Sequence, residues 1–199
     1  MAKIDLKLVT ELRNKTGLGL MDCKKALVEA EGNLEKALEI LRKKGAKIAA
    51  KRASKATSEG VIEAYIHPGS RIGALIELNC ETDFVARTED LKGLARNLCI
   101  QIAAMNPLYV APENVSQEFL EKEREIMKDM MKESGKPANV IDKIVEGKLG
   151  KLYEEICLLD QPYVKDDKKT VRQAIEEVMG RVGENIKVKR FCRFALGQE

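Results

Sequence analysis

Leu75-Ile-Glu-Leu-Asn-Cys-Glu-Thr-Asp-Phe-Val-Ala-Arg87 changes its period half-way along. Ile72, Ala74, Ile76, Leu78 and Cys80 alternate, the two-residue rhythm of a strand with one covered face. At Glu81-Thr82-Asp83 the alternation stops, and side chains suited to a helix N-cap take over. Phe84, large and apolar, falls at the turn itself. Strand, acidic corner, ring and helix start can together present Asp83 and Phe84 at an edge. The competing reading is a capped helix start with Phe84 tucked into its own core, the commoner outcome for such a motif taken alone.

Upstream, Val61 to His67 reads as a strand and Pro68-Gly69-Ser70 as a turn, so that Arg71 to Cys80 is the return strand of a hairpin. Downstream, Thr88 can cap a helix with Leu91, Leu94, Ala95, Leu98 and Ile102 as its stripe, stopped by Asn106-Pro107. Ser116 caps the next helix, with Val115 placed to staple Leu120. Its stripe of Phe119, Ile126, Met127 and Met130 reads as core or as a helix–helix seam, and Gly135-Lys136-Pro137 breaks it. Ile141, Ile144, Val145, Leu149, Leu152, Ile156 and Leu159 continue a helical rhythm, open to interruption at Gly147 or Gly150. Thr170-Val-Arg-Gln173 matches a capping box, and Gly183 closes the helix it starts. In Ile186 to Leu196, alternation sets Ile186, Val188, Cys192, Phe194 and Leu196 on one face, with Arg190 the exception. This last strand has no neighbour in sequence and must join the hairpin. A small antiparallel sheet with several helices is an α+β domain.

The first 53 residues read differently. Asp5 caps a helix carrying Leu8, Val9 and Leu12, which Thr16-Gly17-Leu18-Gly19 must end, since two glycines in three residues disfavour continuation. Asp22 can cap a second helix with Cys23, Ala26, Leu27 and Ala30 inward, stopped at Gly32. Asn33 caps a third with Leu34, Ala37, Leu38 and Leu41 inward, stopped at Gly45, before a short helix to about Ala53. The expected organisation is a three-helix domain over 1–53, a polar linker over 54–60 and an α+β core over 61–199. Leu18, Leu20 and Met21 are ambiguous. In so small a domain all three can be core, yet a loop flexed by glycines accommodates three inward apolar side chains poorly.

Composition narrows the chemistry. The 199 residues are 44% hydrophobic and 34% charged, with 4% aromatic residues and no tryptophan, so the core is aliphatic. No apolar run approaches the roughly 18 residues a membrane span needs, and Met-Ala-Lys-Ile-Asp lacks the apolar region of a secretory signal; a cytoplasmic protein is expected. Five cysteines, at 23, 80, 99, 157 and 192, contain no CxxC pair and fit reduced thiols better than a disulfide framework. His67, the single histidine, argues against both a zinc site and a histidine-dependent triad. Catalytic residues, metal ligands and cofactors are therefore not expected. Residues 1–57 hold 14 Lys/Arg against 7 Asp/Glu, whereas 58–199 hold 21 against 25. A basic N-terminal part is compatible with nucleic-acid contact, or is simply a solvated face.

Two segments carry a family resemblance. Asn79-Cys80-Glu81-Thr82-Asp83-Phe84-Val85-Ala86 closely resembles a signature of the elongation factor Ts family, exchange factors for the GTPase elongation factor Tu. Thr16-Gly17-Leu18-Gly19-Leu20-Met21-Asp22-Cys23-Lys24-Lys25-Ala26-Leu27 resembles the family's other signature, in the expected order. The resemblance implies a ubiquitin-associated-like bundle followed by a dimerisation core, and covers essentially the whole chain. It implies that Leu18, Gly19, Leu20 and Met21 dock on a helix of the GTPase. Thr82, Asp83, Phe84 and Val85 would intrude beside that partner's magnesium ion. It further implies a homodimer with no direct nucleic-acid or membrane partner. Many members are longer, with a second half-core and a helical hairpin that also touches the GTPase; this chain resembles the short form. Two other classes compete: an adaptor using only Leu18 to Met21, and a nucleic-acid binder using Lys43, Lys44, Lys47, Lys51 and Arg52 against phosphates. The second lacks any stacking-aromatic pattern or recognised motif.

Overall fold

A computed structural model describes residues 5–132 and 137–198. It has the α+β character expected. Helices α1 (Leu6–Thr16), α2 (Leu20–Glu29) and α3 (Leu34–Arg52) come first. Strands β1 (Glu59–Ile66) and β2 (Ile72–Cys80) follow, then the short α4 (Asp83–Ala86) and long α5 (Glu89–Met105). Next are α6 (Gln117–Lys132), α7 (Ala138–Ile156), strands β3 (Pro162–Tyr163) and β4 (Asp166–Thr170), α8 (Val171–Val182) and β5 (Ile186–Ala195). The main sheet runs β1-β2-β5, so the last strand joins the hairpin as its isolation in sequence required. β3 and β4 form a separate antiparallel pair that the sequence reading missed.

The chain forms two compact units. The first comprises Met1–Val61, Leu78–Leu94 and Gln173–Lys187; the second comprises Ile62–Glu77, Ala95–Arg172 and Val188–Glu199. In the first, Val9, Leu12, Cys23, Ala26, Leu27, Ala30, Ala37 and Leu41 make one aliphatic cluster, with Leu8, Leu18, Leu34 and Leu38 packed on it. The caps are chemical: the Asp5 carboxylate accepts from Lys7 N at 2.9 Å, and the Asn33 side chain accepts from Lys36 N at 3.0 Å. Two expectations fail here. Asp22 does not cap α2; Gly19 is the N-cap residue, and Asp22 sits in the first turn, paired with Lys44. Gly45 does not stop α3, which runs on to Arg52. The glycine serves packing instead: a Cβ on Gly180 would lie 3.0 Å from Gly45 Cα, and one on Gly45 would lie 3.5 Å from Glu176 O. Helices α3 and α8 therefore cross where both backbones are bare, and tertiary contact overrides the local cost of glycine.

In the second unit, Val115, Leu120, Val145, Leu149, Ile156 and Cys157 form the core beneath a helical hairpin of α6 and α7. Phe119 and Met127 pack on it, but Ile126 and Met130 are exposed and leave the expected stripe. Arg124–Glu146 and Lys128–Asp142 ion pairs close the hairpin at its surface instead. Gly147 and Gly150 interrupt nothing, because α7 is continuous. The expected break at Gly135-Lys136 lies outside the described residues. Gln101 and Gln161, both buried, satisfy each other: Gln101 Nε2 donates to Gln161 Oε1 at 3.1 Å and to Pro162 O at 3.0 Å.

Strand β2 follows its alternation, with Ala74, Ile76, Leu78 and Cys80 buried. β5 does not. Its burial changes phase at Lys189 and Arg190, as one extra residue in a strand does. Ile186 is buried and Val188 half-buried, while Cys192, Phe194 and Leu196 are exposed, so the five residues do not share one environment. No helix among the described residues is long and apolar enough to cross a membrane.

Candidate functional site

Hydrogen bonds hold the corner after β2 at Cys80, Glu81 and Thr82. Thr82 has extended backbone and caps α4, its hydroxyl accepting from Val85 N at 3.4 Å. The same hydroxyl donates to Glu184 Oε1 at 2.7 Å, and Thr82 N donates to Glu184 Oε2 at 3.1 Å. Glu81 is used in return: Oε1 accepts from Asn185 N at 2.7 Å, and Oε2 from Arg52 Nη1 at 3.0 Å. The Cys80 thiol donates to Thr82 O at 3.1 Å, and burial raises its pKa, with the Glu184 carboxylate adding to the effect. Val85 and Ala86 point into the core.

Phe84 remains outside, 78% exposed. The reading that buries it in its own core is therefore excluded. Beside it, Asp83 Oδ2 accepts from Arg87 Nη2 at 2.6 Å, an exposed i,i+4 pair of small energetic weight. A large ring standing off a hydrogen-bonded corner, next to a carboxylate paired with a surface arginine, is suited to entering another surface. Among the described residues no group of His, Cys, Asp and Glu is arranged to hold a metal ion.

The second candidate contact lies in the same compact unit. Gly17 ends α1 in the left-handed region (φ 68), its N–H donating to Arg13 O at 2.7 Å. Leu18 then turns back onto the helical cluster, leaving the outside surface to Leu20, 44% exposed, and Met21, 60% exposed. These two are not on a loop, as expected, but in the first turn of α2. Met21, Lys24, Lys25, Val28 and Glu29 line a shallow cleft of about 290 Å³. The sequence reading passed over Val28; its signal was a position seven residues beyond Met21, outside the inward stripe. It gave Arg52 no part in the corner and passed over Glu184 and Asn185, all of which reach the corner from far along the chain; Glu81, read as cap chemistry, instead accepts from Arg52 and Asn185.

Comparison with known proteins identifies the family. The sequence model described as Elongation factor TS matches residues 7–198. The chain belongs to the elongation factor Ts family. A relative named Elongation factor Ts from Caldanaerobacter subterraneus subsp. tengcongensis is 54% identical over 195 residues, covering 98% of each chain. One of that name from Desulforamulus reducens is 51% identical over 198 residues, all of this chain and 91% of the relative. Another, from Desulfosudis oleivorans, is 50% identical over 198 residues and spans both chains fully. Membership of the family thus rests on the whole chain rather than on the two signatures.

Proposed function

We propose that this member of the elongation factor Ts family promotes exchange of guanine nucleotide on elongation factor Tu during translation elongation, in the cytoplasm, as a homodimer. The observation that carries this reading is Phe84, exposed on a corner that hydrogen bonds hold from three directions. No covalent bond changes. The factor binds the nucleotide-free GTPase more tightly than the GDP-bound one, and the factor by which it weakens GDP equals that by which GDP weakens it. To move a closed-to-open balance from 1:99 to 99:1 takes roughly 5.5 kcal/mol of differential affinity.

Burying the Phe84 ring in the partner contributes roughly 1.5–3 kcal/mol by area, so other contacts must share the task. Leu20 and Met21, with Leu18 and Gly19 setting their approach, dock the helical domain on the GTPase. Thr82, Asp83, Phe84 and Val85 form the wedge, with Thr82 and Val85 anchoring it and Asp83 and Phe84 entering the partner. Asp83 leaves its exposed pair with Arg87 at little cost and accepts hydrogen bonds from the GTPase. Displacing the element that orders the partner's magnesium ion removes a divalent counter-charge from the phosphates, and GDP loosens. Both metal and nucleotide belong to the partner.

The adaptor alternative gives Phe84 no role and leaves its exposure unexplained. The nucleic-acid alternative is weakened by ion pairing, since Lys43, Lys44 and Arg52 already face Glu39, Asp22 and Glu81. Stopped-flow release of labelled GDP from elongation factor Tu tests the proposal. Acceleration that saturates with this protein is expected; an unchanged release rate rules the reading out.

A further inference from the structure

The end of α8 carries charged and polar groups for which docking and wedging have no direct use, yet they reach both sites. Arg181 Nε donates to Asp90 Oδ1 at 2.9 Å and its Nη1 to Thr16 O at 3.4 Å, the last carbonyl of α1. Its stem runs against Gly17, where a Cβ would come within 2.9 Å of Arg181 Cδ. Residue 17 thus has two reasons to be glycine: a left-handed backbone and room for this arginine. Beyond Gly183 the chain turns, and Glu184 takes both donors of Thr82. Asn185, buried, donates its N–H to Glu81 and its side-chain amide to Ala53 O at 3.4 Å and Lys55 O at 2.8 Å.

We propose that Arg181–Asn185 is the positioning element of the exchange reaction, holding the α1–α2 turn that leads into the docking residues through Arg181 and the wedge corner through Glu184 and Asn185 at one fixed spacing. The inference rests on the exchange reading above. Two modest apolar contacts reinforce each other most when their separation is set before binding, because ordering them afterwards costs affinity. Charge-assisted hydrogen bonds of the kind Arg181 and Glu184 make are the stronger class. Neither residue is required to touch the GTPase; each acts through the segment it holds.

The two arms separate experimentally. Arg181→Ala frees the α1–α2 turn: the concentration of factor giving half-maximal GDP release is expected to rise about tenfold, with the maximal rate retained. Glu184→Ala frees the corner: the maximal rate is expected to fall about tenfold, and protection of the Thr82 and Val85 amides from hydrogen exchange to fall in the free protein. In a Phe84→Ala background, Glu184→Ala should slow release no further, whereas general loss of fold would add its own effect. Glu184→Gln, which keeps an acceptor, should fall between the two. Should Glu184→Ala melt below the assay temperature, the Gln variant decides: a wild-type maximal rate with unchanged amide protection overturns the proposal. Wild-type kinetics in folded Arg181→Ala and Glu184→Ala overturn it as well. An unaltered protein that fails to accelerate release sinks the exchange reading instead, so the two failures cannot be confused.

Discussion

A phenylalanine buried in a core loses roughly 3–5 kcal/mol of fold stability on truncation to alanine. Phe84, 78% exposed, has little of that to lose. Phe84→Ala should leave the melting temperature nearly unchanged while slowing factor-stimulated GDP release about tenfold to a hundredfold, the equivalent of the ring's roughly 1.5–3 kcal/mol. Asp83→Ala should also slow release, and the pair should be less than additive if both act on one displaced element. A sharp drop in melting with normal exchange per folded molecule would remove the wedge. Leu20→Ser with Met21→Ser follows the same logic: weaker GTPase binding with helical circular dichroism and melting preserved. The thiols behave oppositely. Burial pushes Cys99 up to about 12 and Cys157 up to about 11, against about 8.5 for an open thiol. The folded chain therefore holds these protons more tightly than the unfolded one. Their contribution to stability is full below about pH 8.5 and is lost as pH rises toward those values. Melting followed from about pH 8 to about pH 10 should decline, and Cys99→Ala should flatten that decline; an identical slope would assign it to other groups.

The crossing of α3 and α8 turns on two glycines that are not equivalent. Gly45→Ala meets ordinary contact at 3.5 Å and gains roughly 1 kcal/mol of helix propensity, whereas Gly180→Ala brings its Cβ to 3.0 Å from a backbone atom. The first should be neutral or stabilising and the second less stable than the first, as thermal melts would register; the reverse order would mean that the helices do not cross here. This crossing also shows where sequence stops being informative. The hairpin, the caps at Asp5, Asn33, Thr88 and Ser116, and the stripe of α5 were legible because each depends on residues a few positions apart. Gly45 was misread because its partner lies on α8, 135 residues later in chain order by number. Glu184 was silent for the same reason, its hydrogen bonds to Thr82 spanning 102 positions. Ile126 and Met130 were misplaced because helical spacing identifies a face without saying what covers it.

The outer face of the sheet in the second unit leaves Ile62, Ile66, Leu75, Cys192, Phe194 and Leu196 exposed. Exposed apolar groups gathered on a sheet favour association, and a second copy of the same chain offers the same surface. A stable dimer needs roughly 800 Å² from each partner. Losing β5 from Arg190 onward should leave apolar sheet uncovered and give aggregation or a destabilised monomer; a truncated chain that stays dimeric and stable would take this strand out of the interface. Phe194→Asp is the sharper test, because an exposed ring can be replaced with little cost to the fold. Sedimentation should show a dimer for the unaltered chain and a monomer for the variant. Cys192 supplies an internal reporter: its alkylation should be slow in the dimer and speed up on dilution or on Phe194→Asp. Leu20, Met21 and Phe84 belong to the other compact unit, so the monomeric variant should still release GDP at nearly the normal rate per chain. A variant that is monomeric and inactive would show that the exchange site depends on the second copy; one that remains dimeric would place the interface elsewhere.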